Sequence, residues 1–264
     1  RSGGRRSARR FLLEGGSPAF RAVRRPPASA GRRGTWTMPG FSFRRWAILL
    51  GCILSTGCAA LPPLTPLDPG LTSAAVSACR DPFLKGPARL VHVLTATLPG
   101  GTESAAVGLL VADPRTRRFR TVIMTPEGWV LFDATAGDTL VVNRAVPPFD
   151  GRAFAEALAE DIALAVFPPE GDPVALGRER DGTAACRFAR PEGAHVDVLR
   201  PAGDAAEVRL YGTGQGLRKR VRIESWNGSG PAGTLEIESR AWPSYTLRLK
   251  LVEQERLETG EGLP

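Results

Sequence analysis

Side chains that could catalyse a reaction are few in this chain of 264 residues. It has only two histidines, His92 and His195, and they fall in different predicted strands. No Gly-x-Ser-x-Gly, His-Glu-x-x-His or Cys-x-x-Cys motif brings together a nucleophile, a metal pair or a redox pair. In the predicted strand His92 lies on the same face as Leu90 and Leu94, because side chains two residues apart point the same way. This predicts a histidine in the wall of a core or cavity.

Three carboxylates, Glu156, Glu160 and Asp161, cluster on one predicted helix. Paired carboxylates can divide acid and base roles when their environments differ. Their spacing is more typical of the solvent face of an amphipathic helix. The sequence therefore predicts a protein that is not an enzyme and that needs no cofactor or metal.

The cysteines indicate a different chemistry, acylation. Arg44 and Arg45 precede a short apolar run, residues 46–54, as in a cleaved signal peptide. A membrane-spanning helix needs about 20 residues, so an uncleaved anchor is the less favoured alternative. The run Leu-Ser-Thr-Gly-Cys58 resembles the lipobox of bacterial lipoproteins, in which the cysteine is lipidated. Leu-Leu-Gly-Cys52 also resembles one, but it leaves an apolar region of about six residues, below the usual 7 to 15.

These features predict the organisation of the chain. Residues 1–37 are rich in Arg, Gly, Ser and Pro, lack apolar periodicity and precede Met38, so we expect an upstream extension that forms no core. Residues 38–57 read as the signal peptide, 58–79 as a lipidated, proline-rich tether, 80–256 as a single domain and 257–264 as a disordered tail. Ala59, where inner-membrane lipoproteins carry Asp, implies by the same resemblance the periplasmic face of the outer membrane.

The net charge changes once the leader is removed. The whole chain has 35 basic and 27 acidic residues. Residues 1–57 hold 12 arginines and one glutamate, so 23 basic and 26 acidic residues remain, a charge of about −3. The basic character belongs to the leader, so we expect no nucleic-acid partner. We expect a monomer whose membrane contact is its acyl groups.

Two cysteines remain, Cys79 and Cys186. In an oxidising periplasm a disulfide between them is plausible, and two separate buried thiols are the alternative.

Twelve short β-runs between about residues 88 and 253 are separated by Gly, Pro and Asp turns. One segment breaks this pattern: Phe154, Leu158, Ile162 and Val166 repeat at four-residue spacing. Asp150 is the expected N-cap, and Pro168-Pro169 the stop. A helix of this length is marginal alone in water, so its apolar stripe must cover the sheet.

The order of these elements resembles the LolA/LolB family of periplasmic lipoprotein carriers. The stretch TPEGWVLFDATAGDTLVVNRAVPPFDGRAFAEALAEDIALAVFP, with the later IESWNG and YTLRLKL, is also similar to an uncharacterised group of bacterial lipoproteins. The resemblance implies a mainly β fold with one or two helices, an antiparallel unclosed β-barrel of about eleven strands covering a central helix. It also implies an exposed apolar loop residue, for which Leu98 is the candidate.

From this likeness we expect an outer-membrane lipoprotein that binds or transfers an acylated ligand, a lipid or lipoprotein, in an apolar cavity. The alternative is a structural or assembly lipoprotein whose interior is filled by its own side chains. The expected cavity residues are Leu94, Leu109, Val130, Phe132, Phe154, Leu158 and Ile162.

Overall fold

The computed structural model of the chain describes residues 60–97, 101–201, 203–241 and 244–258. The leader and Cys58 lie outside these residues, as does Leu98. Thirteen strands occupy the described ranges: β1 Thr65–Pro66, β2 Ala88–Thr97, β3 Glu103–Asp113, β4 Arg118–Met124, β5 Val130–Ala136, β6 Leu140–Ala145, β7 Ala175–Arg178, β8 Ala184–Ala189, β9 His195–Arg200, β10 Ala206–Tyr211, β11 Leu217–Asn227, β12 Gly230–Ser239 and β13 Tyr245–Arg256. Two α-helices, α1 Thr72–Arg80 and α2 Arg152–Val166, accompany them.

All thirteen strands form one antiparallel sheet in the order β1-β7-β8-β9-β10-β11-β12-β13-β2-β3-β4-β5-β6. Among the described residues β1 and β6 stand at the two ends of this order and do not pair, so the sheet stays open. This confirms the predicted fold class. Strands β2 to β13 coincide with the twelve β-runs of the sequence.

The additional strand β1 and helix α1 lie inside the range predicted as a tether. Proline is tolerated in β1 because that strand is at the sheet edge. Residues 71–81 contain no proline and are rich in alanine and serine, so a helix can form directly after the proline-rich stretch. The prediction extended the proline argument further along the chain than the composition allowed.

The late strands alternate between a buried and a polar face, as their sequence predicts. Val221, Ile223 and Ile237 are 2% exposed or less. On the other face Arg222 pairs with Glu236, and Arg220 Nη1 lies 3.4 Å from Glu238 Oε2. Such partly exposed pairs each stabilise the sheet by less than about 1 kcal/mol, so the buried face supplies most of the stability.

Helix α2 packs on the buried face of the sheet through its apolar stripe. Its N-cap is Gly151, without a side-chain hydrogen bond, so the prediction that Asp150 caps the helix was wrong by one residue. At the other end Phe167 is extended, with φ −103° and ψ 135°, because the residue before a proline disfavours the helical conformation. The prolines thus end the helix as predicted.

A disulfide between Cys79 and Cys186 joins α1 to β8, as the sequence predicted. The two Cα atoms are 6.3 Å apart, and 107 residues separate the cysteines along the chain. Both side chains are buried in the main core. Neither helix of the described residues has the length and apolar content required to cross a bilayer.

Candidate functional site

Three of the predicted cavity residues, Phe132, Phe154 and Leu158, do come together. Phe132 is 1% exposed, and its ring meets that of Phe154 edge to face at 5.3 Å between centroids. Leu158 packs against the same cluster, together with Phe149. These side chains fill the space under the N-terminal half of α2 with their own atoms, so here the structure shows a packed cluster.

The other four predicted residues do not join this cluster. Ile162 packs against the main core, and Leu94 lies over Gly108 on the core face of β2 and β3. Val130 begins β5. Leu109 is opposite Val91 and Val122, on the face away from buried Leu110, so its assignment to the cavity is corrected. The apolar run in β3 is continuous, so it does not show which residues face the core, and Leu109 was assigned to the wrong face.

The open space of the site lies further along α2. Two adjoining pockets, of about 210 and 330 Å³, share Arg117, Ala163, Phe167 and Arg190 as lining residues. We call this pair of pockets the α2 groove. Its apolar lining comes from the core and from α2: Phe83, Leu164, Phe188, Val196 and Val208 line the smaller pocket, and Phe119, Ala136, Leu140 and Ala159 line the larger one.

Two arginines stand at the rim of the α2 groove. Arg117 Nε lies 2.7 Å from Glu170 Oε1, and its guanidinium lies 5.3 Å from the centre of the Phe167 ring. Arg190 Nη1 is 3.6 Å from Glu160 Oε1. Both arginine side chains are more than a third exposed, so an anion at the rim can reach them. Glu160, Glu170 and Asp138 also line the two pockets, so the groove combines an apolar interior with a mouth of mixed charge.

Sequence reasoning did not find this groove because its walls come from segments far apart in the chain. Arg117 lies in the β3–β4 turn, and Arg190 lies just after β8. Strand and helix periodicity carries no information about which turns meet in space. The local signal that was available is the Phe167-Pro168-Pro169 stop, which leaves an aromatic ring at the end of the helix.

A buried ionic network fixes α2 above the sheet. Lys219 Nζ is 2.5 Å from Asp161 Oδ1 and 3.2 Å from Glu160 Oε2, and it donates to the Ala157 carbonyl at 2.9 Å. The Tyr245 hydroxyl donates to Asp161 Oδ2 at 2.5 Å. Burial raises the pKa of Tyr245, and the charge of Asp161 adds to this effect, so Tyr245 stays a hydrogen-bond donor.

This network corrects the prediction that Asp161 lies on the solvent face of the helix, because its side chain is 2% exposed. Glu156 does face solvent, where it pairs with Arg152. The sequence feature that could have revealed this burial is Lys219, which lies on the same strand face as buried Val221 and Ile223. A lysine on the dry face of a strand requires a buried anion opposite it.

The two histidines occupy separate places. His92 is 5% exposed on the core face of β2, and burial lowers its pKa to about 4. It therefore stays neutral in the folded protein near pH 7, as a core histidine does. His195 begins β9, five strands away in the order of the sheet.

No family model and no curated protein matches the chain. Among solved structures it is similar to a LolA superfamily protein from Nitrosomonas europaea, with 9% identity and a TM-score of 0.48, covering 72% of this chain and 95% of that one. It is also similar to a DUF1329 family protein from Desulfovibrio piger, with 8% identity and a TM-score of 0.39, covering 75% of this chain and 96% of the other.

Proposed function

We propose that this protein is an outer-membrane lipoprotein, anchored through Cys58, that binds the acyl chain of a lipid or lipoprotein in the α2 groove. The observation that carries the proposal is the groove itself, with aromatic and aliphatic walls and two arginines at its mouth. Its action is burial of a ligand without bond-making. The proposed location at the periplasmic face of the outer membrane rests on the predicted signal peptide, on the likeness of residues 54–58 to a lipobox and on Ala59.

An acyl chain fits the chemistry of these walls. Each methylene group buried contributes about 0.8 kcal/mol, so a chain needs no polar partner in the groove to bind. The larger pocket, at about 330 Å³, reaches the lower end of the 300 to 1,000 Å³ that is usual for small-molecule sites. Arg117 and Arg190 suit a carboxylate or phosphate head, because a guanidinium donates paired hydrogen bonds to either anion.

The groove also connects to the predicted cavity residues. Leu140 lines the groove and packs against the cluster of Phe132, Phe154 and Leu158. A ligand longer than the groove would enter that cluster, which requires α2 to shift. The cluster of Phe132, Phe154 and Leu158 would then extend the proposed site along the helix.

A structural or assembly role is the second candidate, and one observation favours it. The N-terminal half of α2 is packed against Phe132, and the Asp161–Lys219 pair holds the middle of the helix. An interior closed in this way needs no ligand. In that case the α2 groove is a surface feature that binds no acyl chain.

Binding of a fluorescent fatty acid distinguishes the two candidates. Ala163 lines both pockets, and Ala163→Phe should block the groove and abolish probe binding. Ala153 lies exposed on the same helix, so Ala153→Phe is the matched control and should bind like the wild type. Circular dichroism must show both variants folded, and Ala163→Leu replaces the larger variant if it does not fold. Equal binding by the groove and control variants, or no binding by the wild type, contradicts the proposal.

A further inference from the structure

The segment that follows the proposed lipidation site is fixed to the domain. We call residues 61–66 the N-terminal strap. The Leu61 amide donates to Gln215 Oε1 at 3.2 Å, and Arg187 Nη2 donates to the Pro62 carbonyl at 2.9 Å. Thr65 and Pro66, in β1, pair with Arg178 and Gly177 of β7. Successive points of the strap are therefore held along the sheet.

The groups that hold the strap are themselves rigid. Arg187 makes two hydrogen bonds of 2.7 Å to Asp197, whose side chain is fully buried. At Gly177 an added Cβ would stand 2.5 Å from the Thr65 carbonyl oxygen, so only glycine allows the strap to approach this closely. The strap cannot leave the sheet without breaking these contacts.

The upstream end of the strap lies at the turn between β10 and β11, residues 212–216. Cys58 is three residues before Leu61, and an extended chain of that length spans at most about 11 Å. We infer that the β10–β11 turn faces the bilayer that holds the acylated Cys58. This inference rests on the proposed lipid anchor and adds to it a fixed orientation of the domain.

The turn suits a position at the lipid surface. Its sequence, Gly-Thr-Gly-Gln-Gly, carries no charge. Gln215 adopts a positive φ of 60° within it, and the Gln215 amide donates to the Gly212 carbonyl at 2.8 Å, so the turn has a defined shape. Strand β11 then runs away from it for 11 residues, roughly 36 Å at the rise of a strand. In an orientation with β11 upright on the bilayer, the turn that contains Gly228 lies far from the lipid surface.

Fluorescence quenching tests this orientation with two matched glycines. Gly214 and Gly228 are both exposed, have no positive φ, and would meet no atom within 4 Å on gaining a Cβ. Each is changed to cysteine in the full lipidated protein, labelled with a small fluorophore and reconstituted into vesicles that contain lipid spin-labelled at the head group. With Cys58 acylated and Cys79 bonded to Cys186, the new thiol is the one that reacts.

We expect the label at Gly214→Cys to lose most of its fluorescence and the label at Gly228→Cys to keep it. Equal quenching at both positions, stronger quenching at Gly228→Cys, or no quenching at either overturns the inference. Flotation of the wild-type protein with the vesicles reports the anchor separately. If the protein floats and the labels do not differ, the orientation alone fails; if it does not float, the anchor at Cys58 fails and the orientation with it.

Discussion

Removing the cation under α2 is expected to destabilise the domain strongly. Lys219→Met keeps an unbranched side chain of nearly the same length and removes its charge, together with the contacts to Asp161, Glu160 and the Ala157 carbonyl. The side chains of Lys219 and Asp161 are 3% and 2% exposed, so water cannot replace the lost partner. Breaking a buried ion pair from one side costs about 3 to 5 kcal/mol, and we expect a loss in that range.

Urea unfolding followed by circular dichroism measures this loss, provided that the slope of the transition is unchanged. The matched control is Arg152→Met on the same helix. Arg152 pairs with Glu156 at 2.7 Å, but the two side chains are 90% and 54% exposed. An exposed pair of this kind contributes under about 0.5 kcal/mol, so the control should unfold almost as the wild type does.

Replacing both partners separates the cost of an unpaired charge from the cost of a cavity. The double variant Lys219→Met, Asp161→Leu leaves no unpaired charge at the two positions. It should therefore recover most of the stability that Lys219→Met alone loses. The loss in Lys219→Met alone should also be smaller at pH 5 than at pH 8, because a protonated Asp161 needs no cation. If Lys219→Met costs no more than Arg152→Met, the buried network does not hold the helix in place.

Three further predictions concern the core. The pKa of His92 is about 4 in the folded protein, against an ordinary value near 6.5. Between these pH values the unfolded chain therefore binds a proton at His92 that the folded chain excludes. The free energy of unfolding should therefore fall by on the order of 3 kcal/mol as the pH drops from about 6.5 to 4. His92→Leu should lose this part of the pH dependence. Parallel pH profiles of the wild type and the variant would contradict this prediction. Changing Cys79 and Cys186 together to serine should lower stability by about 2 to 5 kcal/mol, and a reducing agent should then affect only the wild type. Leu158→Glu places a carboxylate against the Phe132 cluster and should cost several kcal/mol, whereas an unchanged melting temperature with loss of fatty-acid binding would show an open cavity there.

The sheet could be predicted because each strand carries its own alternation. Val221 and Ile223 point one way and Arg220 and Arg222 the other, and this parity alone fixes the face that each residue occupies. The turns between strands are short and rich in Gly and Asp, so the order of hairpins follows. The disulfide was predictable because Cys79 and Cys186 are the two cysteines outside the predicted signal peptide and the predicted lipidation site.

The candidate site depends on tertiary contacts that no local pattern encodes. Arg117 and Arg190 both line the groove, although one lies in the β3–β4 turn and the other just after β8. Asp161 was assigned to solvent because helical periodicity defines a stripe with broad edges. Its burial depends on Lys219, 58 residues later, so the two residues can be interpreted only as a pair.

Native mass spectrometry of the protein as purified tests whether an acyl chain occupies the α2 groove. We expect a noncovalent adduct with the mass of an acylated molecule, released on delipidation, absent from Ala163→Phe and present in Ala153→Phe. A wild-type protein that carries no such adduct and takes up none from added lipid would contradict acyl-chain binding in the α2 groove. The filled, structural interior would then be the correct interpretation of this fold.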